Sequence, residues 1–384
     1  MRALALATLA LAVNFWAWNL LGPLAPTYRE LLALSPFQVS LLVAVPALIG
    51  ALARIPIGAL TDRYGGRIMF TAVTALTIVP VLFLAATDAY PSLLVGGFFL
   101  GLGGASFAVG IPFVNAWVAP ERRGLFLGIY GAGNVGTAVS GFLSPPIAGA
   151  FGLPSAYLVV AGALAVTAVV FALLGRDAPG RVASTGSMMA GFVAAVKLPI
   201  ARDLALLYAI TFGGFVAFGA YLPTFLTEAY ALTVPDAALR AAGFIVLATA
   251  TRPVGGALAD RFGGVPVLLG SFLAIGVGAI VTAFEPDIVT ATVGFLTIAA
   301  ALGVGNGAVF ALVGRRSPAG TVGSVTGLVG AAGGLGGFLP PIIMGLVFQA
   351  TGSYAIGLML LSDVAFAGAV YTAWRLRDVK LPSA

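Results

Sequence analysis

No cysteine and no histidine occur in the 384 residues. The first absence removes disulfides, thiolate nucleophiles and most zinc or iron–sulfur sites. The second removes the commonest metal ligand and the side chain that most readily moves protons near neutral pH. Charge is almost as scarce: Asp, Glu, Lys and Arg make up 8% of the chain, against roughly 25% in an ordinary soluble domain. Long polar segments are also lacking, so no soluble catalytic domain is hidden in the chain, and no hydrolytic or redox constellation can be assembled from what remains. An enzyme, a cofactor and a metal are all unexpected.

What is present is apolar. Hydrophobic residues make up 60% of the chain, and runs near the roughly 20 residues that cross a hydrocarbon core recur from end to end. The net charge of +6 is scattered in short clusters between these runs. It forms no stripe of the kind that binds nucleic acid, so the expected surroundings are lipid. The opening MRALALATLALAV resembles the charged start and apolar centre of a signal peptide. Its apolar run continues through NFWAWNLLGPLAP without a small-residue cleavage site, and it is read as a retained first helix.

Charges, Pro-Gly clusters and turns divide the chain into spans at 3–26, 37–60, 68–87, 91–116, 123–147, 154–174, 202–226, 238–259, 265–284, 289–313, 321–347 and 353–374. This is an all-α membrane protein of twelve transmembrane helices. The longest polar break, GRDAPGRVASTGS, separates the sixth span from the seventh. The expected organisation is a six-helix bundle over 1–175, a cytoplasmic linker over 176–200 and a second six-helix bundle over 201–384.

Orientation follows from the bias of Lys and Arg toward the cytoplasm. Arg2, Arg63, Arg67, Arg122, Arg123, Arg176, Arg181, Lys197, Arg202, Arg261, Arg315, Arg316, Arg375, Arg377 and Lys380 fall at the termini or in even-to-odd connections, whereas Arg29 and Arg240 lie on the opposite side. Both termini are expected in the cytoplasm, with the chain in the inner membrane. Arg54 and Arg252 are left inside spans.

The two halves repeat each other. RIPIGALTDRYGG from Arg54 matches RPVGGALADRFGG from Arg252, with Arg eight residues before Asp in both, and FLSPPIAG from Phe142 echoes FLPPIIMG from Phe338. Two homologous six-helix halves are the architecture in which substrate sits near the midplane between them. The segments Gly58 to Gly66 and Gly256 to Gly264 resemble the G-x-x-x-D-R-x-G-G loop of the major facilitator superfamily. That resemblance implies a gate or latch role for Asp62, Arg63, Asp260 and Arg261 at the cytoplasmic helix ends. More narrowly, YGAGNVGTAVSGF from Tyr130, GLVGAAGGLGGFLPP from Gly327 and LLYAITFGGFVAFG from Leu206 resemble the nitrate/nitrite porters, in the right order and with both span arginines in place. The compact middle loop is a departure from that pattern. The function implied is secondary transport of nitrate and nitrite by alternating access, by a carrier expected to work as a monomer.

Arg54 lies eight residues before Asp62, or roughly 12 Å along a helix, which puts it near the middle of a roughly 30 Å core. Arg252 does the same in the second half. A cation at that depth costs at least about 3 kcal/mol, and neither helix carries a nearby acid to neutralise it. An anionic ligand answers the charge; backbone carbonyls or an acid from another span are the alternative. A planar, bidentate guanidinium suits a flat oxyanion. Tyr208 and Phe212 share a helix face, as do Phe15 and Trp18, and the repeat sets Phe15 against Phe212 and Phe107 against Phe310. The resemblance makes Tyr208, Phe212 and Phe107 the rings that sandwich the anion. Asn134, beside Gly131, Gly133 and Gly136, offers an amide donor, with an interhelical bond as its other reading; Asn306 is a weaker candidate. GLGG at Gly101 to Gly104 has no strand before it and reads as helix packing, not a dinucleotide loop.

Exchange of another small anion such as formate or oxalate, proton-coupled nitrate symport, and an anion sensor that moves nothing are the competing readings. Asp363, on the twelfth helix, peripheral to the cavity, is read as the one carboxylate inside a span, as a proton carrier or else a polar contact or a face turned to a wet pocket. Without histidine or a central acid, exchange is expected over proton symport.

Overall fold

A bilayer supplies no water to pair with backbone N–H and C=O groups, so an apolar chain satisfies them within helices. The computed structural model describes residues 1–118, 123–179, 188–317 and 322–376, and holds no strand among them. Arg122, Arg181, Arg377 and Lys380 lie outside the described residues, as do the middle of the expected linker and the side chain of Arg123.

Among the described residues eleven spans are long and apolar enough to cross a membrane. The fifth span adds the twelfth, as Arg123–Gly131 and Val135–Phe151 joined by a 3-10 turn, Ala132–Asn134. The first span is Arg2–Trp18 with Leu21–Leu32, the second Pro36–Leu52 with Arg54–Tyr64, the third Gly66–Ala85, the fourth Tyr90–Asn115 and the sixth Leu153–Leu174. A short helix, Met188–Lys197, precedes the second half. There the seventh span is Pro199–Tyr230, the eighth Val234–Phe262, the ninth Gly264–Ala283, the tenth Ile288–Arg316, the eleventh Val322–Gly336 with Leu339–Thr351, and the twelfth Ala355–Arg375.

The packing repeats with a period of six spans. The second packs on the fourth as the eighth does on the tenth, the third on the sixth as the ninth on the twelfth, and the first on the fifth as the seventh on the eleventh. The halves meet where the fifth span lies on the eighth and the second on the eleventh. This is the two-bundle fold expected from the sequence.

The repeated D-R-x-G-G loops have a local cause. Their first glycines, Gly65 and Gly263, have φ of +93° and +89°, in the region that side chains avoid. Their second glycines, Gly66 and Gly264, lie against Phe113 and Leu312, so a Cβ on either would strike the neighbouring span. One glycine makes the turn and the other permits the approach. In the first half Asp177 accepts from the N–H groups of Gly66 (2.7 Å) and Arg67 (3.2 Å), and Arg67 donates to the Ala172 carbonyl, which ties the third span to the sixth.

Glycines also set the register of the fifth and eleventh spans. A Cβ on Gly136 would sit on the carbonyl of Ala12, and one on Gly336 on the carbonyl of Ala209. Gly133 is covered by Leu11 and Gly333 by Tyr208. Matching Gly136 to Gly336 places the halves about one helical turn from the alignment of FLSPP with FLPP, because backbone contact with the first and seventh spans decides the register and the prolines do not. Gly136→Ala and Gly336→Ala are each expected to cost about 1–3 kcal/mol through overpacking. Thermal unfolding in detergent checks this; an unchanged midpoint in both would show that the contact relaxes freely.

The seventh span runs four residues past the expected 226 and the first runs six past the expected 26. These extensions carry Glu228 and Arg29 into helices. Charged residues are tolerated there because they pair with each other, a compensation that hydropathy does not register. Asp363 is a correction of another kind: it is exposed, on a helix face turned away from the bundle. Among the described residues the carboxylates with buried side chains are instead Asp203, which accepts from the Tyr371 hydroxyl (2.7 Å) and pairs with Arg375 (3.6 Å), and Glu228.

Candidate functional site

The helix of the second span restarts at Arg54, after a turn residue at Ala53, and aims the Arg54 side chain inward until it is only 4% exposed. Its Nε donates to the carbonyl of Gly104 (3.3 Å) in its own half, and its Nη1 donates to the carbonyl of Gly330 (2.6 Å) across the molecular centre. Its Nη2 is buried without a partner. The guanidinium is walled by three rings, Phe107 at 5.4 Å, Phe212 at 5.7 Å and Trp18 at 6.0 Å. Carbonyls therefore do hold Arg54, as the alternative reading of the sequence allowed, but they are neutral. Among the described residues no carboxylate comes within ion-pair distance of Arg54 or Arg252.

Arg252 extends from the eighth span and donates through Nη2 to the Tyr208 hydroxyl at 2.9 Å. Its guanidinium lies 5.1 Å from the Phe212 ring and 5.7 Å from Phe215. Phe212 is thus shared by both cations, which cannot stand farther apart than their two distances to that ring combined. The Tyr208 and Phe212 rings are parallel within 1°, 5.1 Å apart, and Phe310 meets Tyr208 edge-on at 5.0 Å. Gly333 leaves room for this stack, since a Cβ there would touch both rings. On the other side Phe107 stacks on Tyr130 at 5.8 Å.

The remaining expected residues divide. Phe15 is fully buried and meets Trp18 edge-on at 4.8 Å; Trp18, not Phe15, faces Arg54. Asn134 is fully buried in the 3-10 turn with neither amide atom partnered, and that turn packs against the helix of Arg252. Gly131 faces open space, with nothing within 4 Å of where a Cβ would stand. Asn306 is also buried with both amide atoms unpartnered. At the end of the bundle that carries the D-R-x-G-G loops Asp260 pairs with Arg315 at 2.8 Å and so ties the eighth span to the tenth. Arg261 lies over Phe262 at 5.1 Å and Arg63 over Tyr64 at 5.5 Å, while Asp62 is exposed at the end of its helix.

Sequence reasoning did not find the Gly104 and Gly330 carbonyls, because a backbone acceptor leaves no residue signature. Phe215 was findable: it lies three residues past Phe212 on the same helix face. Removing the hydroxyl that accepts from Arg252 gives a direct check. Tyr208→Phe is expected to weaken anion binding by about 1 kcal/mol, close to fivefold. Titration of the purified variant with nitrite and nitrate measures it, and unchanged affinity would reduce Tyr208 to packing.

The family model described as Major Facilitator Superfamily matches residues 7–341 and again 204–384. A probable nitrate/nitrite transporter NarK2 of Mycobacterium tuberculosis is 47% identical over 380 residues, covering 98% of this chain and 96% of the relative. The nitrite extrusion protein of Bacillus subtilis is 42% identical, covering 97% and 93%. A probable nitrate transporter NarT of Staphylococcus carnosus is 37% identical, covering 96% and 94%. Among solved structures, a bacterial homologue of the human lysosomal transporter Spinster superposes with a TM-score of 0.77 at 18% identity over 97% of this chain and 96% of that one. The human organic anion transporter MFSD10 does so with 0.75 at 16% identity over 97% and 99%.

Proposed function

This chain belongs to the nitrate/nitrite porters of the major facilitator superfamily, and from that premise we propose that Arg54 and Arg252 hold a nitrate or nitrite ion between the two halves while it crosses the bilayer by alternating access. The observation that carries this reading is the pair of arginines themselves. They come from repeated positions in the two halves, converge on one ring, and among the described residues have no carboxylate within ion-pair distance. A buried cation in that condition asks for an anion.

The chain's groups divide the work. Arg54 offers its unpartnered Nη2 and Arg252 the nitrogens that Tyr208 leaves free. The faces of Phe212, Phe107 and Trp18 exclude water and limit the cargo to a small, flat ion. Asn134 adds an amide donor from the fifth span: by the glycine register it corresponds to Gly334, which stands against Arg54, and so it falls beside Arg252. Gly131 keeps the approach open, and Phe15 backs Trp18. Asp260 and Arg315, with Asp62, Arg63 and Arg261, serve as cytoplasmic latches that hold helix ends together while the halves rock. The carrier works as a monomer with bundles over 1–175 and 201–384, in the inner membrane, with both termini in the cytoplasm.

The test is a panel of anions competing with labelled nitrite for the purified protein. Nitrate and nitrite are expected to displace it at the lowest concentrations. Equal or better displacement by formate, oxalate or larger carboxylates would overturn the assignment of cargo. Uptake into proteoliposomes separates a carrier from a sensor.

A further inference from the structure

On the extracytoplasmic side of the arginines the two halves are joined by charge. Arg29, at the end of the first span, forms an ion pair with Glu228, at the end of the seventh. Glu228 is deeply buried for a carboxylate, its side chain 7% exposed, and the hydroxyl of Tyr354 at the head of the twelfth span donates to it. Tyr354 is fixed in turn: its ring stacks on Phe348 at 4.2 Å, its backbone N–H donates to Glu285 at 3.4 Å, and its hydroxyl lies 3.4 Å from that of Tyr221. Arg29 from the first span and Tyr354 from the twelfth therefore face Glu228, and one step behind Tyr354 stand Tyr221 from the seventh span and Glu285 from the loop after the ninth.

Other contacts across the halves cluster on the same side. The Phe37 N–H donates to the Gln349 side chain at 3.3 Å, and Gly22, Gly141 and Gly345 lie directly against Ala220, Ala238 and Ser40 of the opposite half. These contacts hold the halves together on the outer side in this structure. Outward opening has to pull Arg29 from Glu228. That would leave a buried carboxylate uncompensated, unless a proton takes the place of the arginine.

We propose that Arg29, Glu228 and Tyr354 form the extracytoplasmic lock between the halves, and that Glu228 is a proton-binding site that releases it. In the locked state the carboxylate is ionised and held by Arg29. A proton entering from the outer solution makes Glu228 neutral; it then donates or accepts one ordinary hydrogen bond with Tyr354, and Arg29 is freed to water. The proton binds and leaves on the same face, so it changes how often the carrier opens outward without being carried across. External acid thereby favours loading from outside.

The absence of native cysteine permits a direct test. A narrow cavity between the halves is lined by Val43, Ala47, Phe215 and Ala220, outward of the arginines. Ala47→Cys is buried in this state and is reached by a membrane-impermeant maleimide from outside only after outward opening. In right-side-out vesicles its labelling is expected to be slow at neutral pH and to speed up several-fold as external pH falls. Rates are normalised to a cysteine at exposed Ala89, because thiolate itself declines in acid. Arg29→Gln and Glu228→Gln should both label fast at neutral pH, and the acid response should vanish in Glu228→Gln. The exchanged pair Arg29→Glu with Glu228→Arg should return labelling toward the slow rate, which a variant that is merely unfolded would not do. Equal labelling of the wild type and both single variants would overturn the lock, failure of the exchanged pair would overturn the ion pair as its basis, and an acid response that persists in Glu228→Gln would overturn the proton site. The readout needs no cargo, so it stands apart from the assignment of nitrate and nitrite.

Discussion

Arg54→Lys and Arg252→Lys are each expected to abolish nitrate and nitrite transport while leaving the protein folded. Lysine keeps the charge but is a point donor on a flexible stem, whereas guanidinium is a rigid planar fork. At Arg54 that fork is fully used. Nε and Nη1 are spent on the carbonyls of Gly104 and Gly330, and these two bonds fix the fork and leave Nη2 as its one unpartnered donor. An ammonium bound to the same carbonyls has no rigid third donor left to present. At Arg252 one nitrogen is committed to Tyr208, and the cation lies over Phe212 and Phe215. Losing one or two charge-assisted bonds at about 1.5–3 kcal/mol each lowers affinity by roughly tenfold to several hundredfold or more. Uptake into proteoliposomes, beside a thermal unfolding curve for each variant, provides the measurement. Uptake at the wild-type rate in either lysine variant would remove that residue from the site.

Vesicles preloaded with nitrite are expected to take up nitrate at least roughly tenfold faster than vesicles with no internal anion. Two guanidinium groups about 8 Å apart repel by about 2 kcal/mol at an effective dielectric near 20. Their confinement around one aromatic ring makes that spacing the relevant one. Bringing the halves together on an empty site works against this repulsion, and a bound anion relieves it. The loaded carrier then returns far more readily than the empty one, because the ion binds the closed form better than the open form. Accumulation driven by an imposed pH gradient into vesicles without internal anion would overturn exchange. Asp363→Asn serves as the control: its exposed position on the outer face of the twelfth span leaves it no route to the anion, so its exchange should match the wild type. External acid, acting at Glu228, should alter the rate of exchange without producing accumulation.

Much of the molecule was legible in the residue order because the bilayer leaves few choices. An apolar chain must be helical there, so hydropathy marked twelve spans, and a repeated D-R-x-G-G loop marked two halves. The depth of Arg54 and Arg252 followed from rise per residue and the spacing to Asp62 and Asp260. A midplane cation with no acid near it on its own helix marked both as candidates for holding an anion. The pairings of Tyr208 with Phe212 and of Phe15 with Trp18 followed from helical spacing.

Tertiary structure decided which of those residues meet. Helical spacing places Phe15 and Trp18 on one face but cannot say which ring turns to the guanidinium, and packing against Gly50 and Gly104 chose Trp18. The register between halves depended on the backbone contacts of Gly136 and Gly336, which no motif comparison weighs. Arg54 found its partners in the carbonyls of Gly104 and Gly330, groups that every residue carries and that only folding brings within reach. The acid that matters outside the arginine site was hidden for a related reason. Glu228 reads as a loop residue at the edge of an apolar run, and it becomes a buried carboxylate only when Arg29, nearly two hundred positions earlier in the chain, is laid against it. A side chain's character is written in the sequence, but its protonation and its partner are set by neighbours that come together only in the fold.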